Sequence, residues 1–385
     1  MFRFDANLTS QATHREEIDL TDQGDSGETT RFELDLRWTL SSPRTRLFAI
    51  FSPYYEEFLD DNDFSTYGGS AGVGLNQRVS SRTTWSFVSR FQAAPEQDVP
   101  AVATAAGPPT PRLRALVPRN GFFSAGLEVG LATELSPRGR LEWTAEGETV
   151  QFNTYDVQDG GPGPQSLSDQ ERVGLTMAWV QQTSSRHELN VSGRISRYSL
   201  DDPGTAPGPM QDNRNQYGLS VSSKSRLAEH TGLTVTAGVS SIESEDGRSD
   251  LSPVFGAILG FTAERLTTTL TVDRRQEIFI GSRMSVDTST AAGRMDWRIW
   301  RRGRVSFSAA YGSSSESASG PGSNLETRTR RTSAAYEQSA RLFNWTIRVY
   351  ESRQRSEGAF GENLQSMIVS ASLSWKLTRS SGLGR

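Results

Sequence analysis

The chain has 385 residues, 41 basic and 45 acidic, for a net charge of -4, and only 35% of it is hydrophobic. That balance offers nothing to a nucleic acid, and the absence of cysteine excludes a disulfide framework, a zinc ribbon, a thiol nucleophile and an attached haem. With a mean hydropathy of -0.53 and no apolar run longer than about "VFGAILGF" from Val254, a helix that crosses a membrane is excluded too, because such a helix needs about 20 apolar residues.

What the chain has instead is alternation. After Met1 it enters "FRFDANLTS" directly, with no basic and apolar leader, so an exported protein is expected here in its processed form. In "RFELDLRWTL", Phe32, Leu34, Leu36, Trp38 and Leu40 alternate with Arg31, Glu33, Asp35, Arg37 and Thr39. Side chains of a strand alternate between faces, so this ribbon has one oily and one charged surface. The same pattern follows in "YGGSAGVGL", "FFSAGLEVGLATEL", "RVGLTMAW", "GRMDWRIW" and finally "SMIVSASLSWKL".

Two kinds of link alternate between these segments. Short ones are rich in Ser, Pro, Arg and Gly, as in "SSPRTR", "VSSRTT", "LSPRGR" and "TSSRHE". Longer ones carry acids, Gly and Pro, as in "QDGGPGPQSLSDQ" and "DDPGTAPGPMQDNRN". The tally predicts about 18 strands in an all-β, antiparallel, up-and-down transmembrane barrel, with short periplasmic turns and longer extracellular loops. Residues 1–385 form a single domain on this reading. A propeller shares the repeat length of some 40 to 50 residues, but its blades carry four shorter strands. A soluble sandwich would bury the oily face, whereas the barrel turns it to lipid. Tryptophans near strand ends on that face, among them Trp38, Trp85, Trp143, Trp179, Trp297, Trp345 and Trp375, suit a belt at the lipid headgroups.

The opposite face then lines a lumen. The candidates are Arg31, Arg37, Arg78, Arg90, Glu128, Glu142, Glu146, Arg172, Arg194, Lys224, Arg294, Arg298 and Arg348. Acids gather around Glu128 to Glu148, and bases around Arg172 to Lys224 and Arg294 to Arg348. On opposite walls they would set a transverse field across the pore; on neighbouring strands they would pair. Aromatics expected inside are few, Tyr350 and Phe122. The longest link, residues 92–120, is the third of the long ones, and its Arg112, Arg114 and Arg119 would narrow the pore if it folds inward. Asp60, Asp61 and Asp63 could meet a divalent cation or lipopolysaccharide. The histidines, His14, His187 and His230, lie in links at opposite ends, so no catalytic set, metal centre or cofactor site is expected.

The hairpins joined by Ser-x-Arg turns, as in "VSSRTTWSFVSRF" and "SSRHELNVSGRISRY", resemble the outer-membrane β-barrel porins found beside exopolysaccharide gene clusters. The last strand, "ASLSWKL", is similar to the closing strand that barrel-insertion machinery reads, although it continues into "TRSSGLGR". The resemblance implies a bacterial outer-membrane location, lipid and lipopolysaccharide around the barrel, and export of a polysaccharide with periplasmic proteins. Composition equally supports passive passage of hydrophilic solutes. The alternative from another class is a structural sheath around a periplasmic or electron-transfer partner protein.

Overall fold

The computed structural model describes residues 2–19, 25–58, 65–94, 122–152, 169–201, 211–245, 247, 249–278, 285–316, 326–340, 343–357 and 363–381. They form eighteen β-strands in one antiparallel sheet. In chain order these are β1 (Phe2–Asp19), β2 (Asp25–Ser41), β3 (Thr45–Phe58), β4 (Ser65–Arg78), β5 (Thr83–Ala94) and β6 (Phe122–Ser136). Then come β7 (Gly139–Phe152), β8 (Asp169–Ser184), β9 (His187–Asp201), β10 (Gln211–Ala228), β11 (Thr231–Ser244) and β12 (Ser249–Thr262). The circuit continues with β13 (Leu266–Ile278), β14 (Ser285–Trp300), β15 (Gly303–Glu316), β16 (Glu326–Ser339), β17 (Phe343–Glu357) and β18 (Asn363–Ser381). Each strand pairs with the next, and β1 closes on β18 from Phe2↔Ser381 to Asp19↔Leu364. Closure leaves no sheet edge along this seam, which is what a bilayer demands of a β-structure.

The short turns explain the Ser-x-Arg repeat. Ser80, Ser136 and Ser184 each accept, on Oγ, the backbone N–H of the arginine two residues on, at 3.2, 3.3 and 3.2 Å. Ser42 Oγ accepts from the N–H of Thr45 at 3.0 Å. The hydroxyl satisfies an amide that the ladder leaves free where the chain reverses, so serine is selected at each of these turns.

Register shows one oily and one polar face on most strands. On β2 and β3, Trp38 pairs with Ala49 and Leu36 with Phe51 on one side of the sheet. On β6 and β7, Val129 pairs with Ala145 and Leu131 with Trp143 on that same side. These positions hold the exposed large apolar side chains, among them Phe51, Leu127, Leu175, Val235 and Ile347. All eight tryptophans are on this outer face, and all lie toward the short-turn rim. There Trp300, Tyr336 and Trp345 stack in series, with centroids 5.9 and 4.9 Å apart. A groove of about 570 Å³, lined by Leu270, Gly293, Met295, Phe307, Ala309 and Val349 among others, opens mainly on this lipid-facing side.

Candidate functional site: the inner wall

Register carries every predicted lumen residue in the described strands to the face opposite the oily one. Arg31 and Arg37 flank the outward Phe32, Leu36 and Trp38 on β2, and Arg90 lies between outward Ser89 and Phe91 on β5. Arg78, Glu128, Glu142, Glu146, Arg172, Arg194, Lys224, Arg294, Arg298 and Arg348 share that parity on their own strands. Arg112, Arg114 and Arg119 of the third long link, and the acids Asp60, Asp61 and Asp63, lie outside the described residues.

The structure divides the expected field. The acids of β7 and the bases of β8 and β9 are adjacent in the ring and neutralise one another. Arg172 Nη2 bridges Glu146 Oε2 at 3.2 Å and Glu148 Oε2 at 3.3 Å, and Arg194 closes on the other oxygen of Glu146. Gly174 makes this possible. A Cβ there would lie 2.8 Å from both Glu146 Oε1 and Ser196 Oγ, so any side chain would block the reach of Glu146 across β8. Similar pairs recur elsewhere: Arg31 with Glu33 at 3.3 Å, Arg140 with Glu142 at 2.5 Å, and Arg294 with Asp296 at 2.8 Å. Asp296 also accepts from Ser306 Oγ at 2.6 Å. Among the described residues Arg37, Arg90, Lys224, Arg298 and Arg348 make no ion pair, which leaves uncompensated basic charge on the inner face of β2, β5, β10, β14 and β17.

The interior also holds aromatic and apolar residues that sequence reasoning missed. On β3 the inward positions are Phe48, Ile50 and Tyr54, because Leu47, Ala49, Phe51 and Tyr55 pair outward. Each ring lies over a glycine of β4: a Cβ added to Gly74 would lie 2.1 Å from Cζ of Phe48, and one added to Gly68 2.3 Å from Cζ and Oη of Tyr54. Arg31 stacks its guanidinium on Tyr54, 3.7 Å from the centroid, a contact worth about 0.5–1 kcal/mol at an accessible site. The signal was present in "LFAIFSPYYEEF" facing "YGGSAGVGL": bulky residues at both parities on one strand, glycine at alternate positions on the next. Tyr350 and Phe122 do lie at inward positions.

No family model and no curated protein matches the chain. Solved structures match its whole length. Pseudomonas aeruginosa OpdO aligns with a TM-score of 0.53 at 13% identity, over 98% of each chain. Acinetobacter baumannii OccAB2 gives 0.53 at 11%, over 97% of this chain and 98% of that one. The outer membrane protein OpdK of P. aeruginosa gives 0.51 at 12%, over 98% and 99%. The chain has the fold of a bacterial outer-membrane porin. The porin-type barrel explains both surfaces at once, with the apolar band and its tryptophan belt held in the membrane and the charged pairs kept inside.

Proposed function

We propose that the protein is an outer-membrane channel that carries small hydrophilic solutes through its lumen. The thirteen inward charged residues from Arg31 to Arg348 named above line the path. The observation that carries this reading is the water-accessible, charge-bearing inner wall. Glu148, Arg194 and Arg304 keep 41%, 40% and 51% of their side-chain surface exposed although they point into the barrel. Ionised groups held that way need water beside them, since burying a lone charge costs many kcal/mol. Gly, Ser and Thr between them on β4, β10, β15 and β18 leave room for it. Support of a weaker kind comes from the solved structures of the same fold, one of which is P. aeruginosa OpdK with vanillate. Lipid and lipopolysaccharide surround the barrel on this reading, and the solute is its only cargo.

Single-channel recording of the purified, refolded protein in a planar bilayer tests the proposal. Steady conductance steps that grow with salt concentration are expected. Their absence from protein shown to be folded and inserted would sink the channel reading and favour a lumen filled by a partner.

A further inference from the structure

The barrel wall divides above Arg274. β12 and β13 pair from Thr262↔Thr267 to Phe255↔Arg274 and no further. Beyond that point β12 runs on beside β11 alone, through Ser252↔Ser240 to Ser249↔Glu243, while β13 runs on beside β14 alone to Ile278↔Ser285. Pro253 occupies the stretch of β12 that has lost its second neighbour, where a residue without an N–H costs least.

The freed end of β13 lies inside the barrel. Gln216 on β10 donates from Nε2 to the carbonyl oxygen of Gln276 at 3.1 Å, and to Ser240 Oγ on β11 at 3.2 Å. Gln276 Nε2 donates to the carbonyl oxygen of Asp250 on β12 at 3.4 Å. Along an intact wall β10 and β13 stand three strand spacings apart, about 14 Å. A side-chain hydrogen bond spans that gap only if β13 crosses the inner surface. Ile278 does the same with apolar contacts, joining Tyr198 and Leu200 of β9 and Ile242 of β11 in one buried cluster.

Parity shows which way the tip faces. Lower on β13, Leu270 and Val272 look outward to lipid, and Gln276 and Ile278 are on that same side of the strand. The tip therefore lays its outer side on the inner wall of β9–β12 and turns Arg275 and Glu277 toward the lumen, with Asp273 inward at its base, where β13 still pairs with β12. Arg275 Nε pairs there with Glu277 Oε1 at 2.6 Å and Asp273 Oδ2 at 3.9 Å, with Glu277 still 45% exposed.

Eighteen strands about 4.8 Å apart and tilted about 40° enclose a backbone diameter of about 36 Å. A second layer packed on the wall removes about 10 Å of it. Side chains from both sides reduce the remainder further. We infer that the inward end of β13 is the selectivity constriction of the channel, and that Asp273, Arg275 and Glu277 are the side chains a solute meets there. The inference rests on the channel reading. In a ring of eighteen, β10 and β11, on which the tip lies, face β1 and β2, so Arg37 of β2 stands on the wall across from these acids. A small solute with separated positive and negative groups suits that pairing.

The cysteine-free chain allows a direct test. Glu277→Cys and, as a control on the inner face of β18, Ser372→Cys would each be refolded and recorded before and after a bulky neutral thiol reagent. Labelling at 277 is expected to cut conductance by more than half, and at 372 by less than a tenth. Gln216→Ala with Ile278→Ser, which releases the tip, is expected to raise conductance in unlabelled protein. Equal block at both positions, or no block at 277 with normal steps, would overturn the constriction. Absence of steps in the unmodified protein would instead remove the channel reading, and the constriction with it.

Discussion

Tyr54 on β3 packs the end of its ring over Gly68 on β4, its register partner, so closely that a Cβ there would lie 2.3 Å from its Cζ and Oη. The pair is a small model of the whole inner wall. A bulky side chain points inward in a barrel only where the next strand makes room for it, and the room then fixes its rotamer.

Gly68→Ala is therefore expected to destabilise the barrel by about 1–3 kcal/mol, the usual cost of overpacking. Tyr54→Ala in the same chain should recover much of that loss, because the clash needs both partners. Urea titration of the protein in lipid vesicles, run as a double-mutant cycle, measures the coupling. Additive effects would show that the ring moves aside without cost.

Glu146 holds two arginines, Arg172 and Arg194, on neighbouring strands. In Glu146→Gln Arg194 loses its counter-charge and Arg172 keeps only Glu148, so one further positive charge faces the lumen uncompensated. Reversal potentials in a salt gradient are expected to shift toward anions, with a change of about twofold in the permeability ratio, since one unit of charge at a screened site is worth well under 1 kcal/mol. The shift should shrink at high salt, and its persistence there would argue against an electrostatic origin.

Leu127 projects outward near the middle of β6, while Ser124 projects inward on the same strand. Leu127→Arg is expected to cost about 2–4 kcal/mol of folding stability in a bilayer, the price of a cation at mid-depth on the lipid face. Ser124→Arg should change stability little. Equal effects would mean that the two faces are not lipid and lumen.

All eight tryptophans lie toward one rim on the outer face. Their fluorescence should be quenched several-fold more by spin labels near the lipid headgroup than by labels at the chain end. Stronger quenching from the chain end would place them at mid-bilayer and contradict the belt.

Much of this barrel can be read from residue order alone, because the face a side chain takes depends only on its parity within a strand. "RFELDLRWTL" assigns ten residues to lipid or lumen without any partner strand in view. The serine turns and eighteen strands follow from equally local patterns. Pairing across the ring is another matter. The acids near Glu146 and the bases at Arg172 and Arg194 read as clusters that could stand on opposite walls, and the pairing of β7 with β8 and of β8 with β9 sets them side by side. Phe48 and Ile50 sit in a strand apolar at both parities, where alternation has no contrast to show, and only the glycines of β4 reveal which way they point. The inward turn of β13 leaves still less local trace, with Pro253 its one mark. It depends on Gln216, Tyr198 and Ile242, all more than thirty positions away from Ile278. Alternation is a short-range property of one strand, whereas the division of the wall is decided by contacts among five strands, which exist only once the barrel has closed.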